Sequence, residues 1–319
     1  MEPAMILITG GLGFIGSHTV QALLDVGEEC VLVQRRHAEV PAGRFSAPVH
    51  LEQGDVNDLG TLLGIGKRHQ ITGIVHLAGS MPWPPSSEPP IEATRRALGG
   101  LLNVMQAAQD WGVKRVGFAS TIGVYGGAGG QGPLFEDMPL SMSSPHVIPA
   151  FKKIGELLND YLTSVTGIEI VNYRISGTWG PLGHHPDPFF PAPDLIHAAV
   201  DGHRPDLSGL RAPAHAEDSL DLCYVKDTGR AITLLQLADK LSYSTYNVAS
   251  GRATTNAEVI AAIKTVIPDA QLELPTGGTA AQSYLDITRI HQDTGYLPAY
   301  DTERAAADYI TWLRAGNKS

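Results

Sequence analysis

Apolar residues in this chain fall into short unbroken runs, separated by longer stretches with a helical repeat. Met5-Ile6-Leu7-Ile8-Thr9 is the first run. An apolar run without alternation predicts a strand buried on both faces. Similar runs lie at 30–33, 49–53, 71–78, 115–120 and 168–173. Between them, Ile15, Thr19, Leu23 and Val26 recur at helical spacing, and residues 98–111 carry the same repeat. A further helix is expected to open at Pro149, where a missing N–H costs nothing, with Ile154, Leu157, Leu158, Tyr161 and Leu162 on one face. Strand and helix alternate, which predicts an α/β fold with a parallel sheet covered on both faces. The rhythm breaks over 180–213, a stretch rich in Pro, Gly and His, where the chain is expected to leave the sheet and begin a smaller lobe. Residues 222–225 and 244–249 read as returning strands, and 257–266 and 302–313 as helices. The expected division is 1–175 with 221–250 for the sheet domain, and 176–220 with 251–319 for the smaller lobe.

The first run leads into Thr9-Gly10-Gly11-Leu12-Gly13-Phe14-Ile15-Gly16. Gly10, Gly13 and Gly16 stand between a strand and a helix. One glycine permits the tight turn, one lets backbone approach a pyrophosphate, and one lets the helix pack against the strand. The helix start then presents free N–H groups to the phosphates. This is the signature of a dinucleotide site on a doubly wound, Rossmann-type sheet, with Phe14 and Ile15 in the binding turn. The second strand ends Val33-Gln34-Arg35-Arg36. A carboxylate at that place would bond the ribose 2′-hydroxyl of NAD, whereas guanidinium groups can grip a 2′-phosphate. Gln34, Arg35 and Arg36 therefore favour NADP over NAD. Asp55 and Val56, after the third run, read either as an adenine contact or as a plain turn.

Composition narrows the class without changing the fold. A hydrophobic fraction of 43 % is ample for a core, and a formal net charge of −10 argues against nucleic acid as the main partner. Cys30 and Cys223 both lie in apolar runs and read as buried thiols of a reducing compartment. The N-terminal stretch lacks the make-up of a signal peptide, and no run has the ~20 apolar residues of a membrane helix. A cytoplasmic location follows as the expectation.

Further blocks follow the glycine turn in order. They are Gly54-Asp55-Val56, His76-Leu77-Ala78-Gly79, Asn103-Val104-Met105-Gln106-Ala107-Ala108, Gly112-Val113-Lys114-Arg115 and Ser120-Thr121-Ile122-Gly123-Val124-Tyr125-Gly126. Lys152 with Glu156, Arg174-Ile175-Ser176-Gly177-Thr178-Trp179-Gly180-Pro181, Tyr224-Val225-Lys226-Asp227 and Tyr246-Asn247-Val248 complete the series. Together they resemble the extended short-chain dehydrogenases/reductases, the NAD-dependent epimerase/dehydratase family, over nearly the whole chain. The resemblance implies an enzyme in which a Ser/Thr, a Tyr and a Lys surround a nicotinamide. It places Leu77, Ala78 and Gly79 along the cofactor and Lys152 on its ribose. Thr121 matches the Ser/Thr and Lys152 the lysine. The tyrosine position, four residues before Lys152, is Ile148, which cannot donate a proton. The resemblance also implies a homodimer through a four-helix bundle, with 98–111 and 149–165 as the candidate helices.

Other departures bear on the substrate. Gly177 stands where the nucleotide-sugar members of the family usually carry Asn, and Leu220 where they carry an Arg that helps hold the diphosphate. Met81-Pro82-Trp83-Pro84-Pro85 follows the fourth run, so Met81 and Trp83 read as apolar substrate contacts or as a structural proline loop. Thr121, Ile148, Gly177 and His185 complete the expected substrate contacts. His146, His184 and His185 are titratable near neutrality and are candidates to replace the tyrosine, His146 first because it enters the same helix. The crowded His184-His185-Pro186-Asp187 run lacks metal-ligand spacing, so no metal is expected. The expected function is an NAD(P)-dependent oxidoreductase or epimerase acting on a small hydroxyl/carbonyl compound, not a nucleotide-diphosphate sugar. The alternative is a dinucleotide-binding regulator or partner subunit without turnover.

Overall fold

The unbroken apolar runs become the strands of one sheet. The computed structural model describes residues 4–36, 39–79, 88–127, 132–144, 146–278 and 283–317. In chain order, the first half contains β1 (Met5–Thr9), α1 (Phe14–Asp25), β2 (Glu29–Gln34), β3 (His50–Gln53), α2 (Leu59–Ile65), β4 (Ile71–His76), α3 (Pro90–Trp111), β5 (Arg115–Thr121), a one-turn 3-10 helix (Ile122–Tyr125) and β6 (Gly132–Leu134). The second half contains α4 (Val147–Thr166), β7 (Glu169–Ile175), β8 (Gly177–Trp179), α5 (Ala192–Asp201), β9 (Ser219–Leu220), β10 (Leu222–Tyr224), α6 (Val225–Leu237), β11 (Thr245–Val248), β12 (Thr254–Thr255), α7 (Asn256–Val266), β13 (Ser283–Leu285), α8 (Thr288–Thr294) and α9 (Thr302–Arg314).

Seven strands form a parallel sheet in the order β3-β2-β1-β4-β5-β7-β11. Every residue of β1 is buried, as an apolar run covered on both faces must be. One helical layer packs on Leu7, Val31, Ile74 and Val116, and the other on Ile8, Leu32, Val75 and Val171. Burying side chains of this size contributes ~1.5–3 kcal/mol each. The order reverses between β1 and β4, so the crevice for a ligand opens at their carboxyl ends. Buried Arg115 ties the layers together: it pairs with Glu169 at 2.7 Å, and its Nη1 donates to the carbonyls of Leu235, Gln236 and Ala238 at the end of α6. A smaller lobe has its own core, in which Trp179, Leu195, Tyr224, Ile263 and Tyr309 meet.

Three expectations need correction. The helix expected to open at Pro149 starts at Val147, because His146 Nδ1 accepts from the Ile148 N–H at 3.3 Å and caps the turn. Pro149 still lies in that first turn. Only one of the two expected returning strands rejoins the sheet: β11 pairs with β7, whereas β10 pairs with β8 in a two-stranded sheet of its own. The segment 180–213 also holds α5, closed by Gly202 in the left-handed conformation. On α4 the apolar face is divided, with Leu162 packed against the sheet's core. The buried residues of this helix are Phe151, Gly155, Glu156 and Asn159, while Ile154, Leu157 and Tyr161 are exposed.

Candidate active site

The glycine turn leaves β1 at the switch point. Gly10 takes a φ of +75°, and a Cβ there would stand 3.1 Å from Ala78 N. A Cβ on Gly16 would stand 2.0 Å from Gly10 O, so only glycine lets α1 start this close to the strand. Gly13 caps α1 in an extended conformation. The N–H groups of Phe14 and Ile15 find no acceptor among the described residues. The residues therefore fit a dinucleotide: free donors at a helix start beside a cradle that a Cβ would fill. Val56 is buried, and its carbonyl accepts from Asn103 Nδ2 at 3.0 Å. Leu77 N–H donates to Thr9 O at 3.2 Å, and a Cβ on Gly79 would meet open space.

The end of β2 is arranged differently from its sequence reading. With its amide oxygen toward the loop, Gln34 accepts from the N–H groups of Gly11 at 3.0 Å and Leu12 at 2.9 Å. Arg35 lies 3.7 Å from the Asp55 carboxylate. Burial pushes the Asp55 carboxyl up, but hydrogen bonds from Asn57 and the charges of Arg35 and Arg96 outweigh it, so the group stays ionised below the usual range. Arg36 is exposed. The expected two-arginine grip is thus half neutralised by a carboxylate that would repel a 2′-phosphate.

Thr9 Oγ1 accepts from Ala78 N–H at 3.1 Å and bonds His76 Nδ1 at 2.7 Å. Burial, reinforced by the charge of Lys152, pulls His76 down to about 3, so its ring is neutral. Lys152 is half-buried on α4, its Nζ 4.7 Å from the Phe118 ring centroid and 5.7 Å from that of Phe151. Desolvation pulls its ammonium down to about 8 against the opposing pull of Glu156. It makes no hydrogen bond among the described residues. Glu156, one turn on, is held by Arg174 Nη2 at 2.7 Å and by Ser120 Oγ, while Arg174 Nη1 bonds Tyr125 Oη at 3.0 Å. Thr121 ends β5, and its Oγ1 accepts from Gly123 N–H at 3.2 Å. Gly123 lies against Pro149, so the end of β5 and the start of α4 meet. Ile148, on the same α4 turn, offers no proton.

The crossing segment roofs this crevice. Gly183 packs on Phe14 at the start of α1, and Pro181 O bonds His18 Nε2 at 3.0 Å. Further along, Phe189 stands edge-on to His146 at the start of α4, ring centroids 6.0 Å apart. His146 Nε2 is buried without a partner among the described residues. His185 belongs elsewhere: it stacks on His197 at 3.8 Å and lies 3.4 Å from the buried Asp194 carboxylate, inside the smaller lobe. Gly177 packs against Leu220. Met81 and Trp83 lie outside the described residues. A cavity of about 830 Å³ in the smaller lobe is bounded by Arg204, Leu207, Pro213, Gln271, Glu273 and Leu274. The sequence reading missed Thr9, His76, Phe118, Phe189 and Arg211. For His76 a signal existed, a lone imidazole closing an apolar run.

Comparison with known proteins places this geometry. Residues 6–249 match the NAD dependent epimerase/dehydratase family. UDP-glucose 4-epimerase of Azospirillum brasilense is 27 % identical, over 98 % of this chain and 93 % of that protein. UDP-glucose 4-epimerase of Thermotoga maritima, solved with UDP-glucose, superposes with a TM-score of 0.81 at 22 % identity, covering 98 % of this chain and 99 % of that one. The Bifidobacterium longum enzyme, solved with NAD+ and UDP, gives 0.77 at 23 % identity, with 98 % of each chain covered.

These findings overturn two expectations. The NADP expectation is not borne out: the solved Bifidobacterium longum relative holds NAD+, and in this chain Arg35 is paired with the Asp55 carboxylate. The small non-sugar substrate gives way as well, because the relatives are nucleotide-sugar epimerases. Gly177 and Leu220 contend for one space, so the two departures amount to one local repacking. The reading as a regulator without turnover yields to that of an NAD-dependent enzyme. By its match over residues 6–249, the chain belongs to the NAD dependent epimerase/dehydratase family.

Proposed function

We propose that this protein is an NAD-dependent epimerase that inverts a hydroxyl-bearing carbon of a nucleotide-linked sugar. The observation that carries the reading is the full-length likeness to UDP-glucose 4-epimerases, on a chain whose glycine turn and Lys152 sit at one switch point. Gly10, Gly13, Phe14, Ile15 and Gly16 would hold NAD, which when bound would supply the hydride acceptor and donor. Thr121 orients the reacting hydroxyl from the end of β5. The remaining task is to move that hydroxyl's proton, and Ile148 cannot do it. Lys152 can: its amine is desolvated, without a hydrogen-bond partner among the described residues, and poised near neutrality. His146 is the second candidate, its Nδ1 engaged by the cap and its Nε2 unbonded. The cavity bounded by Arg204 and Leu274 has room for a nucleoside. Residues 176–220 and 251–319 would form the substrate lobe.

Two finer statements complete the reading. We place the enzyme in the cytoplasm, where its two buried free thiols would stay reduced. No helix among the described residues is long and apolar enough to cross a membrane. We also read the outward stripe of α4, beside α3, as a homodimer face. The deciding experiment incubates the NAD-loaded protein with UDP-glucose, UDP-N-acetylglucosamine and dTDP-glucose and follows the sugar proton signals by NMR. Appearance of the 4-epimer supports the proposal. No turnover of any of the three, together with no binding of UDP, would sink it.

A further inference from the structure

Phe189 is held between a histidine and a guanidinium. Its ring meets His146 edge-on, and the Arg211 guanidinium carbon lies 4.9 Å from its centroid. The arrangement is built and not incidental. Arg211 N–H donates to Pro188 O at 3.0 Å, and the N–H groups of Phe189 and Phe190 donate to Asp187 Oδ1 at 2.8 and 3.2 Å. Ring and cation are thus fixed to one short stretch of the crossing segment, which roofs the crevice from Phe14 to His146. Both are exposed at its mouth.

No carboxylate among the described residues neutralises the Arg211 charge. Arg211, like Arg204 of the same segment, makes no ion pair among the described residues, whereas Lys226, Arg230, Arg252 and Arg289 each lie against a carboxylate. A guanidinium whose face is stacked on an aromatic ring keeps its outer N–H edge for a ligand, and that fork matches phosphate oxygens. A chain of net charge −10 needs a local cation to hold a polyanion. Gly177 and Leu220, where a cation could have stood, make an apolar contact instead. We infer that Arg211, presented on the Phe189 ring, grips the phosphate of the substrate at the mouth of the crevice. The inference rests on the nucleotide-sugar reading and names the residue that would hold the diphosphate.

The test is calorimetric titration of the NAD-loaded full chain with UDP, for the parent protein, Arg211→Gln and Phe189→Leu, at low and high salt. Arg211→Gln is expected to weaken UDP binding roughly tenfold or more and to flatten its salt dependence, with NAD affinity unchanged. Phe189→Leu, which keeps the charge but removes its platform, is expected to lose less. If Arg211→Gln binds UDP as tightly as the parent, the inference is overturned while the proposed function stands. An equal loss of UDP and NAD affinity also overturns it, since the residue would then shape the lobe and not hold an anion. A parent protein that binds NAD but not UDP removes both readings.

Discussion

Gly177 and Leu220 share one space: a Cβ on Gly177 would stand 2.5 Å from Leu220 Cδ2 and 3.0 Å from Asp221 O. The two positions therefore act as one packing unit where β8 meets the turn between β9 and β10. Gly177→Ala is expected to cost about 1–3 kcal/mol through overpacking. Leu220→Ala opens room for that methyl, so the double variant should lose about 1 kcal/mol less than the sum of the singles. Urea unfolding of the four proteins measures the coupling. Additive losses would mean that the two side chains do not contend for the same volume.

That contact also shows where the sequence stopped being informative. β1, the glycine turn and the sheet were legible because they rest on local apolar runs and backbone sterics. Lys152 was found through the family resemblance and not through a local physical pattern. The pairing of Arg35 with Asp55 was not legible, because it joins two loops that are neighbours only once β2 and β3 are paired. Charge type alone then pointed to the wrong dinucleotide. The repeat of α4 was legible, but not which of its sides meets the sheet. Gly155 lets one face close on Phe118, so Ile154, Leu157 and Tyr161 turn outward. Phe189 and Arg211 meet through the tertiary course of the crossing segment, which no repeat encodes.

Lys152 and Ile148 set a pH signature. Desolvation brings the Lys152 ammonium to about 8, below the ordinary lysine value, so its neutral amine grows as pH rises through about 8. If that amine takes the sugar hydroxyl's proton, kcat should climb from pH 7 to about 9 and then level. Lys152→Met is expected to lose about 100-fold or more in kcat. Ile148→Tyr places a phenol one turn from the ammonium and should raise the rate at pH 7. His146→Asn keeps a side-chain cap but removes the imidazole, and should leave kcat unchanged. A pH–rate profile that is flat in the parent, or a strong loss in His146→Asn, would transfer the role to the histidine.

The dinucleotide preference follows from Arg35 and Asp55. The carboxylate stays ionised and lies 3.7 Å from the only guanidinium of that pair, so a 2′-phosphate meets a negative charge. NADH is expected to bind more tightly than NADPH in a fluorescence titration. Asp55→Ser removes the repulsion and releases Arg35, and should narrow the gap by roughly tenfold. Equal affinities in the parent protein would show that the pair does not face the ribose.

The outward stripe of α4 makes the last prediction. Ile154, Leu157, Tyr161 and Val165 follow one another at helical spacing, and Leu157 and Tyr161 are 68 % and 62 % exposed in the single chain. A row of large apolar side chains held in water costs solvation free energy that a second copy would recover. α3 packs beside α4 and itself leaves Leu102 exposed. Light scattering should therefore report a dimer. Leu157→Lys together with Tyr161→Glu should shift it to monomer while the far-UV spectrum is kept, because neither side chain belongs to the core of the chain. A parent protein that is monomeric at about 10 µM, well above the Kd expected of a stable homodimer, would show that the stripe serves some other contact.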